Sequence, residues 1–142
     1  MRRFLLVLLL FLMSQNVSNA INWVRVETPL GRVAYVDSDS ITPYKHYYFY
    51  NIMFQNPGNP EFVIMTMQSS KSSPLSARIK AYTEAEYKAL NGDYSNITNI
   101  VKPNLEPVTY QSVTNTCYKF VRDTMKAQEA QSIIITDEEE IE

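Results

Sequence analysis

The sequence predicts an α+β fold, in which an antiparallel sheet of about six strands carries one C-terminal amphipathic helix on one face. Residues 21–69 consist of aromatic and β-branched runs separated by turn-forming residues, a pattern typical of hairpins. Near the C-terminus, apolar residues recur at helical spacing. Without residues 1–20, 122 of the 142 residues remain, the size of one domain with one core.

Residues 1–20 have the pattern of a secretory signal peptide. Arg2 and Arg3 precede ten consecutive apolar residues, and small side chains at Ser18 and Ala20 suit cleavage after Ala20. The apolar run is too short to span a bilayer, no second long run follows, and no lipid-accepting cysteine stands after it. We therefore expect an exported, periplasmic or secreted domain over residues 21–127, with no membrane anchor once the leader is removed.

The first hairpin is predicted from residues 23–27 and 32–37, with the intervening Thr-Pro-Leu-Gly as its turn. Trp23, Val33 and Tyr35 are the candidates for its buried face. Residues 37–40 read D-S-D-S and predict a tight turn or one helical turn. A long strand is then expected over residues 44–54, followed by a loop over residues 55–60 and a partner strand over residues 61–68.

Residues 76–91 leave two interpretations open. Residues 83–86 read T-E-A-E and fit a capping box, so a short helix ending near Gly92 is possible. Alternating polar and apolar side chains over residues 77–87 favour a strand instead. Beyond them, residues 94–102 are predicted to form another strand.

The clearest helix starts after Ser112, its predicted N-cap. Its apolar stripe consists of Val113, Cys117, Phe120, Val121 and Thr124. Cys117, the single cysteine, lies in the middle of this stripe, so we expect a buried and unreactive thiol and no intramolecular disulfide. Residues 128–142 are predicted to be an acidic, mobile tail.

The charge balance gives no support for nucleic-acid binding. Without Arg2, Arg3 and the five acids of residues 137–142, the 13 basic and 15 acidic residues become 11 and 10. We therefore expect no nucleic-acid partner. The predicted partner, a protein or a second copy of the chain as in a homodimer, follows instead from the aromatic segment described below.

The sequence contains no catalytic or metal-binding motif that we recognise, and we expect neither enzyme activity nor a cofactor. His46 is the single histidine, and G-x-S-x-G and H-E-x-x-H motifs are absent. A structural or interface role for His46 is the favoured interpretation. The alternative is a small extracytoplasmic hydrolase that uses His46 with an acid such as Asp37 or Glu86.

The aromatic segment of residues 44–50 is the predicted binding surface. In one continuous strand, Tyr44, His46, Tyr48 and Tyr50 alternate with Tyr47 and Phe49, so both sheet faces carry large aromatic side chains. One helix covers one face. The other face is expected to meet another chain or a ligand, or else to lie beneath loops or residues 128–142.

The order of these features resembles the surface-adhesin protein E family of small exported bacterial proteins. Residues 23–26, W-V-R-V, and residues 35–41, Y-V-D-S-D-S-I, carry the resemblance. It implies a six-stranded antiparallel sheet with a C-terminal helix, often dimeric, at the bacterial envelope, and in some members adhesion to host proteins. The family's disulfide cannot form with Cys117 alone, and the lipid-anchoring cysteine of adhesin-type members is absent. These departures favour a soluble periplasmic protein.

The function expected from these observations is protein–protein contact by a non-enzymatic, exported envelope protein. An accessory role in an envelope secretion or conjugation machine is a further alternative. The sequence leaves open the partner, the oligomeric state and the role of the acidic tail.

Overall fold

A computed structural model describes residues 21–29, 31–108 and 112–141, with side chains described up to residue 133. It confirms the predicted α+β class: an antiparallel sheet with a C-terminal helix packed on one face. The predicted signal peptide, including the cleavage site at Ala20, lies outside these residues. None of the helices described combines the length and apolar character that a membrane span requires.

Within the described residues there are seven strands, two α-helices and one short 3₁₀ helix at Ser38–Ser40. The strands are β1 (Trp23–Glu27), β2 (Val33–Asp37), β3 (Thr42–Tyr44), β4 (Tyr47–Gln55), β5 (Phe62–Ser70), β6 (Leu75–Tyr82) and β7 (Glu106–Pro107). The helices are α1 (Glu84–Leu90) and α2 (Val113–Ile141).

The sheet follows the order β1-β2-β4-β5-β6-β7, and every pairing is antiparallel. Strand β4 lies inside the sheet, with β5 along one edge and two segments sharing the other edge. β2 pairs with its C-terminal half and β3 pairs with its N-terminal half. The predicted hairpins β1–β2 and β4–β5 are confirmed.

The strand predicted over residues 44–54 is wrong in one respect, because it is two strands joined by a tight turn at Lys45 and His46. The backbone of Lys45 is left-handed, with φ of 55°. Tyr44 therefore pairs across to Tyr47 instead of continuing into β4. The alternation expected for Tyr44 and His46 does not apply to them.

The first face of the sheet packs against α2 and forms the main core. Val36, Ile52, Cys117 and Val121 are fully buried there, and Met67 is nearly so. The predicted helix stripe is confirmed, and Ser112 caps the helix by accepting a hydrogen bond from the Asn115 main-chain N–H at 3.0 Å.

Helix α2 does not end at the predicted domain boundary after residue 127. It continues to Ile141, so the backbone of residues 128–141 is helical rather than an irregular tail. From residue 126 to residue 133, every side chain is exposed. Burial on the sheet therefore gives residues 126–133 no support.

The second face of the sheet is covered by residues 84–104. The two interpretations of residues 76–91 are both correct in part, since β6 ends at Tyr82 and α1 begins at Glu84. Thr83 caps α1 through the Glu86 N–H at 3.1 Å, and Asn91, with φ of 51°, ends it. Burying Tyr87 against the sheet gives this short helix its tertiary support.

The segment of residues 91–104 after α1, here called the strap, corrects two further predictions. Residues 94–102 contain no strand, and residues 94–99 form two successive turns, with Ile97 N–H bonded to Tyr94 O and Asn99 N–H to Asn96 O. Helix α1 covers the face to which Trp23 belongs, since the ring of Trp23 lies 5.2 Å from the ring of Tyr87 on α1. The fully buried apolar residues of the first hairpin are Ala34 and Val36 on the α2 side, whereas Trp23, Val33 and Tyr35 are half-buried.

Candidate functional site

The predicted binding residues separate into an exposed group and a buried group. The exposed group belongs to the turn between β3 and β4, here called the hairpin tip and defined as residues 43–47. Tyr44 exposes 37% of its surface, Lys45 and His46 are exposed, and Tyr47 is half-buried. The tip therefore keeps three of the predicted side chains, Tyr44, His46 and Tyr47, within reach of another molecule.

The other three predicted residues are inaccessible, which corrects that part of the hypothesis. Tyr48 and Tyr50 lie beneath α2, and Phe49 on the opposite face is completely buried. The Tyr50 hydroxyl bonds to Ser69 at 2.6 Å, and Ser69 bonds to Ser76 at 2.7 Å. These side chains hold the hairpin and do not form a contact surface.

The hairpin tip is held from beneath by aromatic packing. The rings of Tyr44 and Tyr47 meet Phe49 edge-on, with centroids 6.2 and 6.5 Å away. The neighbouring loop adds a main-chain hydrogen bond from Lys71 N–H to His46 O at 3.0 Å. The exposed side chains thus stand on a preorganised turn, which lowers the entropic cost of binding.

The surroundings of the tip are basic. Residues 40–60 and 62–83 contain no aspartate or glutamate, while Lys45 and Lys71 lie beside the tip. Glu129 approaches from the α2 side, where burial and, secondarily, its carboxylate raise the pKa of the Tyr48 hydroxyl. The exposed chemistry of the tip is therefore aromatic and cationic.

A second feature, absent from the predicted site, is a polar network on the strap-covered face. The Asp37 carboxylate is fully buried and accepts three hydrogen bonds. Oδ1 accepts from the Asn22 main-chain N–H at 3.0 Å, and Oδ2 accepts from the hydroxyls of Tyr87, at 2.5 Å, and Tyr94. These bonds join the start of the chain, α1 and the strap.

The network extends from Tyr87 across β4 and β5. Asn51 Nδ2 donates to the Tyr87 hydroxyl at 3.0 Å, and Thr66 Oγ1 donates to Asn51 Oδ1 at 2.5 Å. Asn51 and Thr66 face each other in the strand register and are nearly inaccessible to solvent. Farther along β5, Gln68 holds the other end of the strap through both its amide atoms, at 2.8 and 3.1 Å from Lys102 N and O.

Burial and the hydrogen bond to Asp37 both raise the pKa values of Tyr87 and Tyr94, with burial the larger cause. Burial also raises the pKa of Tyr50, beneath α2. These hydroxyls remain protonated and serve as donors throughout the physiological range of pH.

This titration behaviour predicts alkaline instability. The pKa of such a tyrosine is higher in the folded protein than its value of about 10 in the unfolded chain. Its contribution to stability is therefore complete below pH 10 and decreases as the pH rises from there toward the folded pKa. Each such buried group should lower the free energy of unfolding by about 1.4 kcal/mol per pH unit above pH 10. Urea unfolding measured between pH 9 and 11 should show that the free energy of unfolding of the parent falls with rising pH. The fall should be less steep in Tyr50→Phe and in Tyr87→Phe. Identical slopes in the parent and both variants would contradict the prediction.

The geometry does not bring together the residues of the hydrolase alternative. Asp37 follows Val36, which pairs with Ile52, so it lies beside Asn51. Tyr47, the first residue of β4, lies four residues before Asn51, roughly 13 Å away along the strand, and His46 precedes it in the turn. Glu86 is exposed on α1, where its main-chain N–H donates to the Thr83 hydroxyl at the start of the helix.

Cys117 is buried as predicted, and burial raises its pKa to about 12, which keeps the thiol protonated. Among the residues that the structure describes, no group of three or more histidine, cysteine, aspartate or glutamate side chains is arranged to hold a metal ion.

Sequence reasoning missed the Asp37 network for an identifiable reason. Its members, Asp37, Asn51, Thr66, Tyr87 and Tyr94, are scattered over 58 residues and form no motif. The available signal was the pair of polar residues, Asn51 and Thr66, each placed between large aromatic or aliphatic neighbours in its strand. Buried polar groups require partners, so such a pair indicates a second covered face.

Comparisons of the chain with protein-family models, with curated proteins and with solved structures found no match.

Proposed function

We propose that this chain is an exported, non-enzymatic envelope protein that acts by protein–protein contact through its hairpin tip. The observation that carries the proposal is the exposure of Tyr44 and His46 on a turn fixed by buried Phe49. The pattern of residues 1–20 supports export, and the resemblance to surface-adhesin protein E supports an envelope location.

The chemistry of the tip suits an acidic protein surface. Tyrosine buries a large area at low entropic cost and is enriched among the residues that dominate binding energy. Lys45 and Lys71 add positive charge with no acid in the flanking strands, so complementary charge should come from the partner. The partner is thus expected to present carboxylates around an apolar patch, as an acidic subunit of an envelope assembly would.

Site-specific photo-crosslinking in intact cells tests the contact directly. A photoreactive phenylalanine analogue is introduced at residue 44 and, separately, at residue 46, with residue 62 as the control. Phe62 is an equally exposed aromatic, at 41%, and lies at the other end of β4 and β5. Adducts to one acidic protein from residues 44 and 46, and none from residue 62, are expected in the envelope fraction.

Binding to the identified protein then gives the magnitude. Tyr44→Ala should weaken the affinity by about thirtyfold, corresponding to about 2 kcal/mol, whereas Phe62→Ala should leave it unchanged. Adducts that join two copies of this chain would instead make the tip a homodimer interface. Absence of adducts at both tip positions, equal adducts from residue 62, or retention of the protein in the cytoplasm would overturn the proposal.

A further inference from the structure

The strap borders a partly open cavity that the proposed contact does not use. Its volume is about 400 Å³, and it lies between the second sheet face, α1 and residues 93–100. The strap is fixed at both ends, by Tyr94 on Asp37 and by Lys102 on Gln68. Cavities of this size hold small ligands in many proteins, and the two anchors make this one preformed.

The lining of the cavity is amphipathic and nearly neutral in charge. The polar part is formed by hydroxyl and amide side chains from β4, β5, β6 and the strap, and the apolar part by isoleucine, leucine and alanine side chains from β6, α1 and the strap. Lys80 and Asp93 contribute one charge of each sign. Asp93 accepts hydrogen bonds from Ser95 N and Oγ at 3.1 and 2.7 Å, which lower its pKa. A strongly charged ligand would therefore meet no excess of opposite charge.

The buried network orients the polar groups at the floor. Asp37 is an acceptor, so Tyr94 and Tyr87 direct their protons toward it, and Thr66 directs its proton toward Asn51. The Thr66 oxygen also contacts the Tyr82 hydroxyl at 3.4 Å, and the Tyr94 oxygen also contacts the Tyr87 hydroxyl. One lone pair on each of the Thr66 and Tyr94 oxygens, and the second N–H of Asn51, remain for other partners. The floor thus offers acceptors in a fixed geometry, beside one amide donor.

We propose that this cavity binds one neutral, polyhydroxylated ring, namely a sugar unit in its pyranose form. A sugar ring offers hydroxyl groups that both donate and accept at its edge, and C–H groups on its faces. The hydroxyls suit the floor of Asn51 and Thr66, and the apolar faces suit the rings of Tyr82 and Tyr94 beside Ile97. The ligand is a free monosaccharide or the terminal residue of a glycan, and the two share this chemistry.

The cavity and the hairpin tip are separate, so the sugar site does not depend on the proposed protein contact. Asn51 and Thr66 lie inside the sheet at the middle of β4 and β5, whereas the tip ends at Tyr47, the first residue of β4. A protein that binds no sugar should still give the photo-crosslinking adducts at the tip. A protein that gives no adducts at the tip should still bind the sugar.

Titration of the purified protein with methyl glycosides of glucose, galactose and N-acetylglucosamine, followed by amide NMR, tests the inference. A ligand of about a dozen heavy atoms at ordinary efficiency should bind with a dissociation constant on the order of 1 mM. Shifts should concentrate at residues 51, 66, 82 and 94–99. A short oligosaccharide of the best sugar distinguishes the two sources, since tighter binding indicates a glycan end and equal binding indicates the free sugar.

Matched substitutions on α1 keep the test independent of folding. Ala89→Trp places a large side chain at the cavity lining and should weaken binding at least tenfold. The substitution does not alter any residue of the Asp37 network. Ala85→Trp, one helical turn away on the same exposed helix and outside the cavity lining, should bind as the parent does. Thr66→Val should weaken binding about tenfold. If none of the three glycosides shifts the amide signals, the cavity holds only water and the inference is overturned. Binding that is unchanged in Ala89→Trp would place the sugar outside the cavity and would also overturn the inference.

Discussion

Replacing Asp37 with alanine should lower the free energy of unfolding by about 3–5 kcal/mol, a large effect for one residue. The carboxylate is fully buried, and its removal leaves the Asn22 N–H and the Tyr87 and Tyr94 hydroxyls without their acceptor. Each of these donors would lose a bond to a charged group, and the strap would lose one of its two anchors.

Urea unfolding followed by circular dichroism measures this effect, and Asp39→Ala is the matched control. Asp39 is two residues away and exposed, so the same substitution there should change stability by no more than about 0.5 kcal/mol. Asp37→Asn should lie between the two, because the amide keeps one acceptor oxygen. Equal stability of Asp37→Ala and Asp39→Ala would mean that the network does not hold the strap.

Replacing Phe49 with alanine should cost about 3–5 kcal/mol, the range for a large buried aromatic side chain. Phe49 is inaccessible to solvent, and the rings of Tyr44 and Tyr47 rest on it. Its removal opens a cavity beneath the hairpin tip that the neighbouring strands cannot close, because β3 is paired to β4 at that point.

The control for this variant is Phe62→Ala, an exposed phenylalanine for which a loss of less than about 1 kcal/mol is expected. Thermal unfolding of both variants beside the parent gives the comparison. Similar melting temperatures for Phe49→Ala and the parent would show that Phe49 is not buried as described.

The Phe49 result also determines how binding data at the tip are interpreted. Loss of partner binding in Phe49→Ala would follow from a loosened hairpin, whereas loss in Tyr44→Ala with unchanged stability would report a lost contact. Tyr44 is partly exposed, so its truncation separates the two causes.

The parts of this fold that are local in sequence were predictable. The spacing of Val113, Cys117 and Val121 indicated the helix and its buried stripe, and the turn before Gly31 indicated the first hairpin. The fold class follows from these patterns because one helix of this length has a single apolar side to bury on a sheet.

The candidate site was predictable in part. The aromatic composition of residues 44–50 drew attention to the correct segment, but periodicity alone placed all of it in one strand. The left-handed conformation at Lys45, a residue with no special turn preference, separates Tyr44 and His46 from the strand that follows. Burial then separated the exposed tip from the three aromatic residues that support it.

The sequence by itself determined the α+β class, the α2 stripe, the buried thiol of Cys117 and the neutrality of the chain body. Only the tertiary structure decided what covers the second sheet face. Asp37 meets Tyr87 across 50 positions and Tyr94 across 57, and no local pattern encodes such a pairing. The strap covers this face because the sheet brings those distant polar groups together, where each buried donor requires an acceptor.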